Sequence, residues 1–142
     1  RPCCRASCRK ARKCGREAAR IMGECDVGAL PVSDGDRLAG MVTDRDIAVR
    51  AVAIGRGPDA QVSEVMTLDV LYCHEDEDIG HIAENMAENQ VRRLPVVDVD
   101  KRLIGIISLA DVADARADEA GEALEGITRP GGERSQSIEG RA

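Results

Sequence analysis

The chain has 142 residues, 32% charged and 43% hydrophobic, a balance that suits one compact domain or two very small ones and excludes a membrane-embedded chain or a disordered tail. No apolar run approaches the ~20 residues of a bilayer-spanning helix, and none near the start resembles a signal peptide, so a cytoplasmic protein is expected. With Tyr72 as the single aromatic residue and a formal net charge of −6, the chain lacks rings for base stacking and repels phosphate backbones, which argues against nucleic acid as a partner.

Residues 1–16 are foreign to the rest. They hold Arg1, Arg5, Arg9, Lys10, Arg12, Lys13 and Arg16 with no acidic residue, and also Cys3, Cys4, Cys8 and Cys14. Those cysteines permit a soft-metal site, but their spacing is not the two Cys-x2-4-Cys pairs of common zinc sites, and no His lies nearby. A metal- or redox-sensing leader and a non-native leader produced by a coding-frame anomaly both account for this composition, and no metal ligand is assigned. Cys25 and Cys73 lie in apolar patterns and read as small core residues in a reducing compartment.

Beyond the leader the sequence repeats. Met22 and Met86, Val27 and Val91, Leu30 and Leu94, and Pro31 and Pro95 are 64 residues apart; Gly40 and Gly105, Thr43 and Ser108, and Asp46 and Asp111 are 65 apart. The extra residue falls in the turn at 98–101, where an insertion costs little. In the first unit Ala18, Ile21, Met22 and Cys25 share one helical face; in the second Ile79, Ile82, Ala83 and Met86 do the same. Strands are predicted at 29–32 and 94–97, then polar turns, then strands at 38–42 and 103–107 whose unbroken apolar runs predict burial on both faces. Helices start at Thr43 and Ser108, with Ile47, Ala51 and Ile54 as the apolar side of the first. An introductory strand at 69–73 opens the second unit; its counterpart at 5–9 has no strand alternation, so the first unit lacks that strand in the pattern. Ala120, Ala123, Leu124 and Ile127 extend the last helix, and from Arg129 onward the composition is that of a disordered end. Residues 138–141 resemble the recognition sequence of a processing protease and are set aside from the fold. The expected organisation is a leader at 1–16, units at 17–58 and 59–118, and a helical extension with tail at 119–142.

The two motifs Gly40-Met41-Val42-Thr43-Asp44-Arg45-Asp46 and Gly105-Ile106-Ile107-Ser108-Leu109-Ala110-Asp111, each preceded by Leu-Pro-Val, resemble a pair of CBS domains, a Bateman module, and the nearest likeness is to small stand-alone bacterial CBS-pair proteins. The resemblance implies an α/β fold of two tandem β-α-β-β-α units with pseudo-two-fold symmetry, and dimerisation into a disc. It also implies clefts between the units for adenosine-containing ligands such as AMP, ATP or S-adenosylmethionine, and no catalysis.

Thr43 and Ser108 each end a strand and open a helix, where unpaired N–H groups and the helix dipole favour an anion. Asp46 and Asp111 point back to the same place, and a carboxylate there accepts both hydroxyls of a ribose diol. Gly40 and Gly105 remove a side chain where a ligand or another backbone comes close. Equally, Ser/Thr-x-x-Asp is a capping box, worth ~1 kcal/mol with no ligand. With no rings available, the resemblance assigns the adenine walls to Leu30, Pro31, Leu94, Pro95 and Val70. Arg92 and Arg93 replace Gly28 and Ala29 of the first unit, so Arg93 is a phosphate candidate at the second site, as is Arg45 at the first; the second site is expected to fill before the first. His74 precedes an acidic run that reads as the first turn of a helix, His81 reads as a surface residue, and no catalytic constellation emerges. The chain is therefore expected to be a non-enzymatic, cytoplasmic, homodimeric regulator that binds adenine nucleotides and signals to an unidentified protein partner. A ligand-free interaction module is the alternative, beside sensing through the leader cysteines.

Overall fold

The computed structural model describes residues 13–130; the leader cysteines Cys3, Cys4 and Cys8 and the counterpart strand at 5–9 lie outside them. The elements in order are α1 (Gly15–Cys25), β1 (Ala29–Asp34), β2 (Arg37–Thr43), α2 (Asp44–Ile47) with a π-helical continuation (Ala48–Val52), α3 (Val62–Val65), β3 (Cys73–His74), α4 (Ile79–Asn89), β4 (Arg93–Val97), β5 (Leu103–Ser108), α5 (Leu109–Ala115) and α6 (Ala117–Thr128). The fold is mixed α/β, with the run helix–strand–strand–helix recurring in both halves. Among the described residues no helix is long and apolar enough to cross a membrane.

Two compact units form. The first takes the described residues up to Val70 together with Val97–Gly105; the second takes Leu71–Val96 and the residues from Ile106 onward. In the first, β1 and β2 pair antiparallel, Ala29 opposite Thr43 and Val32 opposite Gly40, with a bulge between Val32 and Ser33 that carries the strands into the Gly35 turn. Leu30, Val32 and Val42 join Ala18 and Met22 of α1 and Ala51, Val62 and Val65 in one core. The segment 97–105 belongs here because Leu103 N–H donates to Asp36 O at 2.8 Å and Arg102 Nε lies 3.1 Å from Asp36 Oδ2.

The second sheet has the strand order β3-β4-β5. Leu94 packs with Cys73, with Ile82, Ala83 and Met86 of α4, with Val112, and with Ala120, Ala123 and Ile127 of α6. Both helices that precede a Leu-Pro-Val strand stop in the same way: Asp26 and Gln90, 64 apart, take left-handed conformations at φ 53° and end α1 and α4.

Four local expectations need correction. Ile54 is not on a helical face: the second helix widens into π geometry and ends, leaving Ile54 61% exposed while Ala51 is buried. The introductory strand is reduced to Cys73–His74, and Val70 lies in irregular backbone whose N–H donates to Leu68 O at 3.1 Å. Burial on both faces fails for β5, where Ile104 is 46% exposed. The last helix is not extended but broken at Arg116, whose φ of −148° and ψ of 90° separate α5 from α6; of the expected apolar face, Ala120, Ala123 and Ile127 are buried and Leu124 is exposed.

Candidate functional site

Each unit brings a strand start and a helix start together. Asp44 N–H donates to Gly28 O at 3.0 Å, and Leu109 N–H donates to Arg92 O at 2.8 Å, so the residue ahead of each Leu-Pro-Val strand accepts the first amide of the capped helix. Sequence reading missed this link, although the placing of Gly28 and Arg92 exactly one repeat apart signals it.

The capping boxes are closed. In the first, Asp46 N–H donates to Thr43 Oγ1 at 3.0 Å and Thr43 N–H donates to Asp46 Oδ2 at 2.9 Å. In the second, Asp111 N–H donates to Ser108 Oγ at 3.3 Å, while Ser108 N–H and Oγ–H donate to Asp111 Oδ2 at 2.7 and 2.8 Å. Each carboxylate thus uses Oδ2 for the cap, which leaves Oδ1 as the oxygen available to a further donor. The surroundings differ. The Asp46 side chain is 16% exposed and Oδ1 lies 3.8 Å from Arg50 Nε, whereas Asp111 is exposed.

Arg45, Arg92 and Arg93 are exposed, and among the described residues their side chains enter no ion pair. Arg92 and Arg93 stand where β4 starts, and Arg45 stands in the first turn after Thr43. The apolar candidates are placed differently from what an adenine wall requires. Leu30 and Leu94 are 0% and 1% exposed and Pro31 and Pro95 are buried, because the strands that carry them are covered on both faces. Val70 is half-buried. Of these residues the structure brings Thr43 with Asp46 and Ser108 with Asp111 into hydrogen-bond contact, and it commits Leu30 and Leu94 to the cores.

The two glycines do different things. A Cβ on Gly40 would lie 2.7 Å from Thr67 O and 2.8 Å from Met66 Sδ, so a neighbouring backbone fills its slot; the space over Gly105 is open. Grooves between α4 and α6 are lined by Glu84, Glu88, Glu119, Glu122 and Glu125, a carboxylate surface that repels phosphate. His81 lies 3.9 Å from Glu77 and 4.0 Å from Glu84 on the exposed face of α4. No cluster of three His, Cys, Asp or Glu side chains able to hold a metal occurs among the described residues.

The CBS-domain family model matches residues 16–52 and 62–118. The CBS domain-containing protein YhcV of Bacillus subtilis is 41% identical over 115 residues, covering 80% of this chain and 81% of that protein. Among solved structures, the CBS-domain pair of protein MJ0100 in complex with methylthioadenosine and S-adenosyl-L-methionine is 30% identical, with a TM-score of 0.69 over 80% of this chain and 90% of that one. The structure of CBSX2 in complex with AMP is 28% identical, with a TM-score of 0.70 over 80% and 88% of the two chains.

Proposed function

The chain belongs to the CBS-domain family, and on that premise we propose that it is a regulatory, non-catalytic module that binds an adenosine-containing ligand beside its two capping boxes. The observation that carries this reading is the duplicated Ser/Thr–Asp box, each with one carboxylate oxygen held by the cap and the other left over for a ribose hydroxyl. Two structural neighbours bind adenosine compounds, AMP in one and methylthioadenosine with S-adenosyl-L-methionine in the other, which supports the ligand class. Arg45 at the first box and Arg93 at the second are the phosphate-binding candidates, with Arg92 beside the latter, and their lack of ion-pair partners among the described residues supports that role. Val70, Pro31 and Pro95 remain the candidate neighbours of the base. Occupancy favours one arrangement of a homodimeric protein, and a protein partner in the cytoplasm reads that arrangement.

Isothermal titration of the whole chain with AMP, ATP and S-adenosylmethionine tests the reading. Binding is expected for at least one of them and is lost in Asp46→Ala/Asp111→Ala. A folded protein that binds none refutes it.

A second reading, a ligand-free interaction module, is favoured by two facts: both boxes close on themselves, and Leu30 and Leu94 are fully buried. Asp111→Ala separates the two. A scaffold loses only the ~0.5–2 kcal/mol of a helix cap, whereas a sensor loses ligand affinity in addition.

A further inference from the structure

The repeat does not account for the cation beside the first box. Sixty-five residues beyond Arg50 stands Ala115, so Asp111 has no matching guanidinium. Arg50 belongs to the π-helical stretch, in which Ala53 N–H bonds to Ala48 O, five residues back, at 2.9 Å. Wide turns of this kind are frequent at functional sites, where they redirect a side chain. From this position Arg50 Nη1 donates to Val65 O at 3.1 Å and to Met66 O at 3.4 Å, while Nε faces Asp46 Oδ1. The next residue, Thr67, exchanges two backbone hydrogen bonds with Met41, of 3.0 and 2.8 Å, and its carbonyl closes over Gly40. One guanidinium therefore addresses both the candidate ribose carboxylate and the end of α3, where a cation is favourable to the last carbonyls.

We infer that Arg50 is a latch that couples occupancy of the first box to the segment 65–67. The inference rests on the nucleoside reading of Asp46. A ribose diol that donates to Asp46 Oδ1 draws on the charge that Arg50 Nε faces at 3.8 Å and so weakens this ion pair. Loss of that anchor weakens the hold on Val65 and Met66, and by linkage a loosened segment favours occupancy. The second box, with Ala115 in place of the arginine, binds without this coupling.

The test is amide hydrogen exchange at Thr67 in the whole chain, with Asp111→Ala present throughout to confine AMP to the first box. Without AMP, Arg50→Ala is expected to exchange Thr67 three- to tenfold faster than the parent, and Arg50→Lys likewise, because an ammonium does not reproduce the fork. The amide of Met86, buried in the other unit, serves as the folding control and stays unchanged in both variants. AMP is expected to speed Thr67 exchange in the parent and to leave Arg50→Ala unaffected. Equal Thr67 rates in the AMP-free parent and in both variants overturn the latch, as does bound AMP with no effect on Thr67. If the parent binds no AMP, the occupancy half of the latch falls, the nucleoside reading is decided by the titrations above, and the AMP-free comparison still decides whether Arg50 holds the segment.

Discussion

Gly40 and Thr67 are pressed together so closely that a methyl group on residue 40 would start 2.7 Å from the Thr67 carbonyl oxygen, a backbone atom that cannot swing aside. The two hydrogen bonds between Met41 and Thr67 fix that approach. Gly40→Ala is therefore expected to destabilise the chain by about 1–3 kcal/mol, the ordinary cost of overpacking. Its repeat partner faces open space, so Gly105→Ala is expected to change stability by less than about 0.5 kcal/mol. Urea unfolding of the two variants checks the contrast, and equal losses contradict it.

The thiol of Cys73 is fully buried and is pushed up to about 11, chiefly by burial and secondly by the charge of Glu77. In the unfolded chain it titrates near its usual 9.0, so between these values the native state binds more protons than the unfolded one. Stability is then unaffected below about pH 9, falls as pH rises toward about 11, and levels off above, by on the order of 2 kcal/mol in all. Denaturation at pH 8, 9.5 and 11, compared with Cys73→Ala, measures this contribution: the slope belonging to Cys73 disappears in the variant. In the folded protein at pH 8, iodoacetamide is expected to modify the half-buried Cys14 and Cys25 well before Cys73.

Asp26 and Gln90 both pay a left-handed conformation to end their helices, yet they respond differently to glycine. Asp26 is exposed, and relief of φ 53° should stabilise Asp26→Gly by about 0.5–1 kcal/mol. Gln90 Nε2 donates to the carbonyls of Gly126 and Arg129, so Gln90→Gly gives up its hold on the end of α6 and is expected to gain nothing or to lose stability. Thermal melting of the two single variants decides this.

The strands, the turns and both capping boxes were legible because period-two and helical spacing recur at a fixed offset, and a motif written twice is hard to mistake. Thr43 with Asp46 and Ser108 with Asp111 lie in contact as their three-residue spacing requires. What escaped depended on tertiary packing. The apolar spacing of Ile47, Ala51 and Ile54 fits a regular helix, but a π turn shifts the phase and turns Ile54 to solvent. Leu30 and Leu94 carried a ligand role by analogy, while the cores formed by α1 and α4 claimed both side chains completely. Arg50 sits four residues after Asp46, a spacing that signals an ion pair, but nothing in the sequence tells that its other donor reaches Val65 and Met66. The absence of residues 69–72 from the expected strand has the same origin: β3 is confined to Cys73–His74.

The break at Arg116 bears on how this chain could be transplanted. Its guanidinium lies 2.8 Å from Glu119 and 3.7 Å from Asp78, pinning the start of α6 to the residue that caps α4, and α6 then supplies Ala120, Ala123 and Ile127 to the second core. The family match ends at residue 118. A graft severed there would leave Ile82, Ala83 and Met86 wet, so a portable fragment has to run on through Thr128.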